Sequence, residues 1–269
     1  MTKTNQQKVK DFLINNGVII VMFILVIYTG FTSDNFFTRN NFMNILMNMS
    51  SRLVIALGIA GCVITAGCDL SAGRMIGFGA CISGMLLQRM DYSGKFFPDM
   101  QPLNVFVVAL IAMLVCAAFG TVTGFFIAYL NVPPFIATLA MMEIVYGIGL
   151  IVTNATPLGG YVEQYTNVSN GKFLGINYLI WIAIIVAAIT WFIFNMTRHG
   201  KYMYAIGGNP QAAEVAGVPV KATLILIYMK AAAMYGLAGF MLGAKAGGAS
   251  VQTGYGYEME ACLLYTSDA

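Results

Sequence analysis

Seven long apolar segments constrain the fold of this chain more than any other feature. About 20 apolar residues, at 1.5 Å each, cross the roughly 30 Å hydrocarbon core of a bilayer as a helix. The segments that reach or approach this length cover residues 17–33, 42–66, 75–87, 103–130, 135–152, 178–195 and 222–244. Backbone polar groups find no water inside a bilayer, so such segments must satisfy their own hydrogen bonds. We therefore predict an all-α, polytopic transmembrane helix bundle with about seven spans.

Composition supports a membrane protein and excludes several other classes. Hydrophobic residues make up 59% of the chain and charged residues 9%, which is outside the range of soluble domains. The net charge of +3 is spread over many loops, so no basic face for nucleic acid is expected. The five cysteines lie mostly in apolar stretches without a C-x-x-C pair, and we interpret them as small core residues. We expect no metal site.

The basic residues predict an orientation. Lys3, Lys8 and Lys10 precede the first apolar segment, and no small-x-small cleavage site follows it. We therefore expect an uncleaved first helix after a cytoplasmic N-terminal segment, 1–16. Strict alternation then gives a small excess of Lys and Arg on the cytoplasmic side, as the positive-inside rule requires.

One polar interruption, residues 198–221, separates the last two apolar segments. It contains the only histidine, His199. After Asn209 and Pro210 the pattern is typical of a short helix, whose small or apolar side would carry Ala212, Ala213, Val215 and Ala216. A chain that only spans the membrane does not need such a segment. We predict that it is a docking element on the cytoplasmic side.

No enzyme signature is present. The pairs Gly94-Lys95, Gly171-Lys172 and Gly200-Lys201 are each followed by an aromatic residue instead of Ser or Thr, so none is a P-loop. One histidine cannot supply a histidine-based metal site by itself. We predict that the chain is not an enzyme, and that any nucleotide hydrolysis takes place on a separate polypeptide.

A polar sequence flanked by glycines, residues 67–73, joins the second and third segments. Asp69 and Ser71 lie between Gly67 and Gly73. Glycines allow a helix to break, and a broken helix at membrane depth must be buried in protein or line a water-filled cavity. The alternative is an ordinary turn in which Asp69 caps the next helix. The sequence leaves both interpretations open.

Two charges lie at matching depths inside predicted spans. Glu143 and Lys230 are each eight residues into their segments, 135–152 and 222–244, which both start from the predicted cytoplasmic face. At 1.5 Å per residue both lie about 12 Å deep. An unpaired charge there is costly, so we expect either a Glu143–Lys230 ion pair or a role in a water-filled pathway. A proton relay is a third alternative.

Four stretches, in order along the chain, resemble a known family, the permease subunits of bacterial ABC importers for monosaccharides (the ribose/galactose group). They are Ala-Gly-Cys-Asp-Leu-Ser-Ala-Gly-Arg at 66–74, Pro-Phe-Ile-Ala-Thr-Leu at 134–139, Ala-Ile-Gly-Gly-Asn-Pro-Gln-Ala-Ala at 205–213 with Ala216-Gly217, and Gly-Tyr-Glu-Met-Glu-Ala at 256–261. Stretches 65–74, 86–91 with Phe97-Pro98, and 128–133 are most similar to the galactose/methyl-galactoside permeases.

The resemblance implies a single permease domain, residues 17–261, in a bacterial inner membrane. Its implied partners are a cytoplasmic ATPase pair that binds ATP and Mg²⁺, a periplasmic or lipid-anchored sugar-binding protein, a second permease copy and membrane lipid. No cofactor is implied for this chain itself. Galactose or a methyl galactoside is the implied substrate.

The resemblance also assigns site residues. The 198–221 loop would couple to the ATPase through Gly207, Gly208, Asn209, Pro210, Ala212, Ala213, Glu214 and Gly217. Candidates for the translocation path or its gate are Asp69, Ser71, Gly73, Phe135 and Thr138.

Two departures from the family stand out. Its members generally have uncharged residues where Glu143 and Lys230 stand, so that pair would be particular to this chain. They also continue for roughly three more helices, to about ten, and residues 262–269 do not match their continuation. We therefore expect a C-terminally truncated chain with a non-native tail.

Two other classes remain as alternatives. An ion-coupled secondary transporter or channel would use Glu143, Lys230 and Asp69 to carry ions and would have no requirement for the 198–221 loop. A structural or assembly membrane protein would require neither the glycine-flanked break nor the charges inside the spans.

Overall fold

The structure is a computed structural model that describes residues 16–33 and 35–259. Ten helices and one two-stranded hairpin account for the regular structure of these residues. The helices are α1 Gly17–Thr32, α2 Arg39–Ile64, α3 Ala72–Leu86, α4 Val105–Tyr129, α5 Pro134–Thr153, α6 Glu163–Asn170, α7 Tyr178–Met196, α8 Arg198–Gly208, α9 Pro210–Val215 and α10 Val220–Ala246. Strands β1 (Lys172–Phe173) and β2 (Ile176–Asn177) pair antiparallel. The all-α prediction is confirmed, and the predicted tail 262–269 lies outside the described residues.

Each predicted apolar segment corresponds to one helix. Within the described residues α2, α4, α5, α7 and α10 are long and apolar enough to cross a membrane. The other two, α1 and α3, have 16 and 15 residues. The chain is therefore a multi-pass membrane protein, and the number of seven spans stays a prediction.

The chain divides into two compact units, Met1–Leu46 and Met47–Ala269. In the first unit α1 has no buried residue. In the second unit α3 is buried on all sides, and of its residues only Arg74 and Leu86 are partly exposed.

Helix α10 lies at the centre of the second unit, against α3 and α4. Its glycines permit direct contact between helix backbones. A Cβ atom on Gly236 would lie 2.5 Å from the carbonyl oxygen of Ala112 in α4, and one on Gly239 would lie 2.2 Å from that of Ile76 in α3. Small residues at such crossings let membrane helices pack closely.

Local signals fix where the spanning helices begin and end. The side chains of Asn104 and Asn177 accept hydrogen bonds from Phe106 N and Leu179 N at 2.9 Å, which caps α4 and α7. A proline occupies the first turn of α5. Helix α10 ends at Ala246 and is capped by Gly247, whose φ of +67° is easily adopted only by glycine.

Candidate functional site

The glycine-flanked break between α2 and α3 is built around the carboxylate of Asp69. This side chain is only 3% exposed. Its Oδ1 accepts hydrogen bonds from the backbone N–H of Ser71 at 3.0 Å and from the Ser71 hydroxyl at 2.6 Å. Its Oδ2 accepts a hydrogen bond from the hydroxyl of Tyr235 in α10 at 3.1 Å. Three donors therefore compensate the burial of this acidic group.

Thr138 in α5 holds the other side of the break. Its Oγ1 accepts a hydrogen bond from Leu70 N at 3.2 Å and lies 3.4 Å from the carbonyl oxygens of Cys68 and Phe135. The irregular backbone is thus fixed between α5 and α10, which satisfies polar groups that a helix would otherwise pair internally.

These contacts distinguish the two interpretations of Asp69 only in part. The N-cap position of α3 is Ser71, so Asp69 stabilises the turn before the helix and does not cap the helix itself. Of the five path or gate candidates, Asp69, Ser71, Gly73 and Thr138 are buried, and Phe135 is exposed. In this structure the four buried residues position the break.

A second segment, residues 247–259, follows α10 and packs against the start of α3. A Cβ atom on Gly254 would lie 2.0 Å from the carbonyl oxygen of Gly73, and one on Gly77 would lie 2.7 Å from that of Val251. Leu158 also pairs with Ala249 in an antiparallel bridge. This contact was not predicted from the sequence. The signals that point to it are the glycines of 247–259 and the resemblance at 256–261. Residues 260 and 261 of that resemblance lie outside the described residues.

Two tyrosines of α10 were also missed. Tyr228 and Tyr235 are seven residues apart, which places them on one face of the helix, and both are almost fully buried. A Cβ atom on Gly67 would lie 2.6 Å from the hydroxyl oxygen of Tyr228. The seven-residue spacing in a helix rich in small residues could have indicated that both face the break.

The structure does not bring Glu143 and Lys230 together. Glu143 is exposed on α5, whereas the amino group of Lys230 is buried and has no hydrogen-bond partner among residues 16–33 and 35–259. The Lys230 Nζ atom lies 5.0 Å from the ring centroid of Phe194 in α7. The ion-pair prediction is wrong here because equal depth fixes the height of a residue along its helix but not the face on which it lies.

Removing the Lys230 charge is therefore expected to stabilise the protein. The variant Lys230→Met keeps an apolar chain of similar length and should raise the free energy of unfolding by about 1 kcal/mol, because losing the cation–π contact offsets only part of the cost of a charge inside the membrane. Thermal unfolding of the detergent-solubilised protein measures the change. Lys221→Met is the matched control, since Lys221 also lies over a ring, that of Tyr129 at 5.2 Å, but is exposed. A lower unfolding temperature for Lys230→Met would show that Lys230 has a favourable partner.

His199, in α8, is close enough to Lys230 for the positive charge of that residue to affect its pKa. Burial, together with that positive charge, lowers the pKa of His199 to about 4. The imidazole is therefore neutral at neutral pH, and its Nε2 has no hydrogen-bond partner among the described residues. This end of the polar segment is consequently packed against the bundle.

Most of the remaining polar segment is exposed, and only Met203, Ile206 and Ala213 of its residues 201–221 are buried. Helix α8 is followed by the short helix α9, which begins where the sequence predicted a helix. The side chain of Asn209 accepts a hydrogen bond from Ala212 N at 3.0 Å and caps α9. Helix α8 itself was not predicted.

Most of the predicted coupling residues lie on this exposed surface. Ala213 is buried, Gly207 is partly buried, and the remaining ones are exposed: Gly208, Asn209, Pro210, Ala212, Glu214 and Gly217. The predicted apolar side of α9 is therefore corrected, because only Ala213 packs inward. Val215 is 91% exposed.

The two adjacent glycines of α8 have different environments. A Cβ atom on Gly207 would lie 1.9 Å from the carbonyl oxygen of Ile64, at the end of α2. A Cβ atom on Gly208 would meet nothing within 4 Å. The polar segment is thus seated on the end of α2, next to the break, and presents its other side outward.

Comparison with known proteins identifies the family. Residues 41–265 match the family described as branched-chain amino acid transport system / permease component. The galactose/methyl galactoside import permease protein MglC of Escherichia coli is 38% identical over 268 residues, which cover 97% of this chain and 80% of the relative. The corresponding protein of Haemophilus influenzae is 39% identical, with the same coverage.

A second group of relatives is also similar. The ribose import permease protein RbsC of Escherichia coli is 31% identical over 256 residues, which cover 94% of this chain and 76% of the relative. No solved structure matches the chain. With its multi-pass helical fold and these matches along nearly its whole length, the chain belongs to the family of transport permeases described as branched-chain amino acid transport system / permease component.

Proposed function

We propose that this chain is the transmembrane permease subunit of an ABC importer for a monosaccharide, with galactose or a methyl galactoside as the substrate. The observation that carries this proposal is the exposed polar segment seated on the end of α2. Its two short helices are folded and capped, yet they bury only a few of their residues against the chain itself. The relatives that are 38% and 39% identical are import permeases for this sugar.

The partner of this surface is a separate ATPase subunit, which binds ATP and Mg²⁺ and hydrolyses the nucleotide. Val215 is an exposed apolar anchor, and Glu214 beside it is an exposed charge. A small apolar centre with a polar rim is typical of a protein interface. Because Gly207 contacts the end of α2 directly, a push on α9 would be transmitted to the neighbouring break. A sugar-binding protein and a second permease copy complete the assembly.

The proposed orientation places the N-terminus and α9 in the cytoplasm and the β1–β2 hairpin on the opposite side. Single cysteines test this directly, because Cys62, Cys68, Cys81 and Cys116 are buried. In a Cys262→Ser background, Val215→Cys should react with an impermeant thiol reagent only after the cells are broken open and the reagent can reach the cytoplasmic face. Leu174→Cys, 79% exposed in the hairpin, should react in intact cells. The reverse pattern would invert the topology.

The substrate is tested by uptake. The full-length protein, its ATPase and its binding protein are expressed in cells that lack galactose import, and uptake of labelled galactose, ribose and leucine is measured. Galactose uptake is expected to be the fastest. Uptake of leucine but not of sugars would contradict the sugar assignment and favour the substrate in the family description.

A further inference from the structure

Four side chains form a polar cluster where α3, α5 and the 247–259 segment meet. The guanidinium carbon of Arg74 lies 4.1 Å from the ring centroid of Tyr146 and 5.1 Å from that of Tyr255. Arg74 Nη1 donates a hydrogen bond to Gln252 Oε1 at 2.9 Å, and Gln252 Nε2 donates one to the hydroxyl oxygen of Tyr146 at 3.0 Å. These residues are called the Arg74 cluster below.

The Arg74 cluster lies deep in the membrane. Tyr146 is twelve residues after the start of the 20-residue helix α5. At 1.5 Å per residue, its Cα is about 18 Å from one end of the span and about 11 Å from the other. The cluster therefore lies near the middle of the bilayer.

The cluster is also open on one side. Gln252 is exposed, Tyr255 is 69% exposed, and Arg74 and Tyr146 are half-buried. Glu143 precedes Tyr146 by three residues, so it occupies the adjoining face of α5, and it is exposed as well. Exposing an arginine, a glutamate and an amide to lipid at this depth would cost several kcal/mol. This face is therefore expected to border water or a polar ligand.

The chemistry of the cluster suits a sugar. A guanidinium and an amide can donate hydrogen bonds to hydroxyl groups, and an exposed tyrosine ring can pack against the C–H face of a pyranose. An unused donor remains, because the Tyr146 hydroxyl is used as an acceptor and keeps its own O–H. A few placed polar groups beside aromatic rings are typical of small-molecule recognition.

The same features disfavour the carboxylate of an amino acid. Tyrosine rings lie over the guanidinium of Arg74, and one of its N–H groups is already bonded to Gln252, which leaves less of its edge for bidentate binding. The exposed Glu143 would in addition repel an anion on this side of α5. A neutral ligand with several hydroxyl groups avoids both penalties.

We propose that the Arg74 cluster is a monosaccharide contact site inside the translocation path, where Arg74, Gln252 and Tyr146 bind hydroxyl groups and Tyr255 packs against the ring. The proposal rests on the sugar-import function above and assigns the binding of the sugar to these four residues. On this proposal the glycine-flanked break and the 247–259 segment act together, because they position Arg74, Gln252 and Tyr255 at membrane depth.

Water access is the first test. In the complete importer with buried native cysteines and Cys262→Ser, Tyr255→Cys is expected to react with a water-soluble thiol reagent, and galactose should slow the reaction whereas leucine should not. Ile144→Cys is the matched control, because Ile144 is 50% exposed at similar depth on the same helix as Tyr146 but on its other side. It should not react. A Tyr255→Cys variant that is as unreactive as Ile144→Cys, or that only leucine protects, would overturn the proposal.

Transport is the second test. Gln252→Leu removes the amide that links Arg74 to Tyr146 and should lower the sugar transported per ATP hydrolysed about tenfold, the effect of losing roughly one charge-assisted hydrogen bond. Gln164→Leu makes the same change at an exposed glutamine of α6 and should have no effect. Thermal unfolding of both variants shows whether they remain folded.

The outcomes separate this site from the function on which it rests. If the unaltered importer transports galactose and Gln252→Leu matches it, the site assignment is wrong and the function stands. If the unaltered importer transports no sugar, the function fails and the site fails with it. Loss of leucine transport in Gln252→Leu would make the cluster an amino acid site and would also overturn the proposal.

Discussion

The variant Val215→Asp is expected to abolish most ATP-driven uptake while the protein remains folded and inserted. Val215 is 91% exposed at the end of α9, so an aspartate there meets water in the isolated chain. In the assembly, the charge would be buried against the ATPase, next to Glu214. Truncation of a central interface anchor costs about 2 kcal/mol or more, so binding of the ATPase should fall by at least about thirtyfold.

Co-purification of the ATPase and sugar-stimulated ATP hydrolysis measure this loss. Leu174→Asp is the control, because it makes the same apolar-to-acidic change at a residue that is also exposed but lies in the β1–β2 hairpin. It should leave ATPase binding unchanged. Normal ATPase binding and uptake in Val215→Asp would show that the polar segment is only a connection between spans.

The second large effect is expected for Asp69→Ala. The substitution leaves three buried donors, the N–H and hydroxyl of Ser71 and the hydroxyl of Tyr235, without their acceptor. Each unsatisfied group costs roughly 1–3 kcal/mol, so we expect a loss of about 3 kcal/mol or more in the free energy of unfolding. Thermal unfolding in detergent measures the loss of stability. Sugar uptake should be lost together with it.

A conservative variant separates hydrogen bonding from charge. Asp69→Asn keeps an oxygen that accepts from Ser71, and its amide can donate to the oxygen of Tyr235, so the loss of stability should be at most about 1 kcal/mol. Asp99→Ala, at an exposed loop residue, is the control for the substitution itself. If Asp69→Asn were as stable as the native protein but inactive, the charge would participate in transport, and the ion-coupled alternative would gain support.

Local signals explain why the helices could be predicted so closely. Asn104, Asn177, Pro134 and Gly247 cap or end helices through interactions within a few residues, and the apolar segments between them are long. Helix α9 was predicted for the same reason, since Asn209 caps it locally. Helix α8 was missed because its length is only 11 residues and its composition is mixed.

Long-range contacts explain what could not be predicted. Asp69 and Tyr235 are 166 residues apart, and Arg74 and Gln252 are 178 apart. Nothing in the sequence around these residues shows that they meet, although the glycines at the helix crossings indicate close approach of the helices. Glu143 and Lys230 illustrate the opposite case, because their similar depth allowed an ion pair but did not determine which face of each helix they occupy.

Uptake by the reconstituted importer shows whether an ATPase drives sugar through this permease. The full-length protein is reconstituted in vesicles with the ATPase and the sugar-binding protein, and uptake of labelled galactose is followed with and without ATP and with and without the ATPase. Uptake is expected only when both ATP and the ATPase are present. Galactose uptake that persists without the ATPase and follows an ion gradient would contradict the claim.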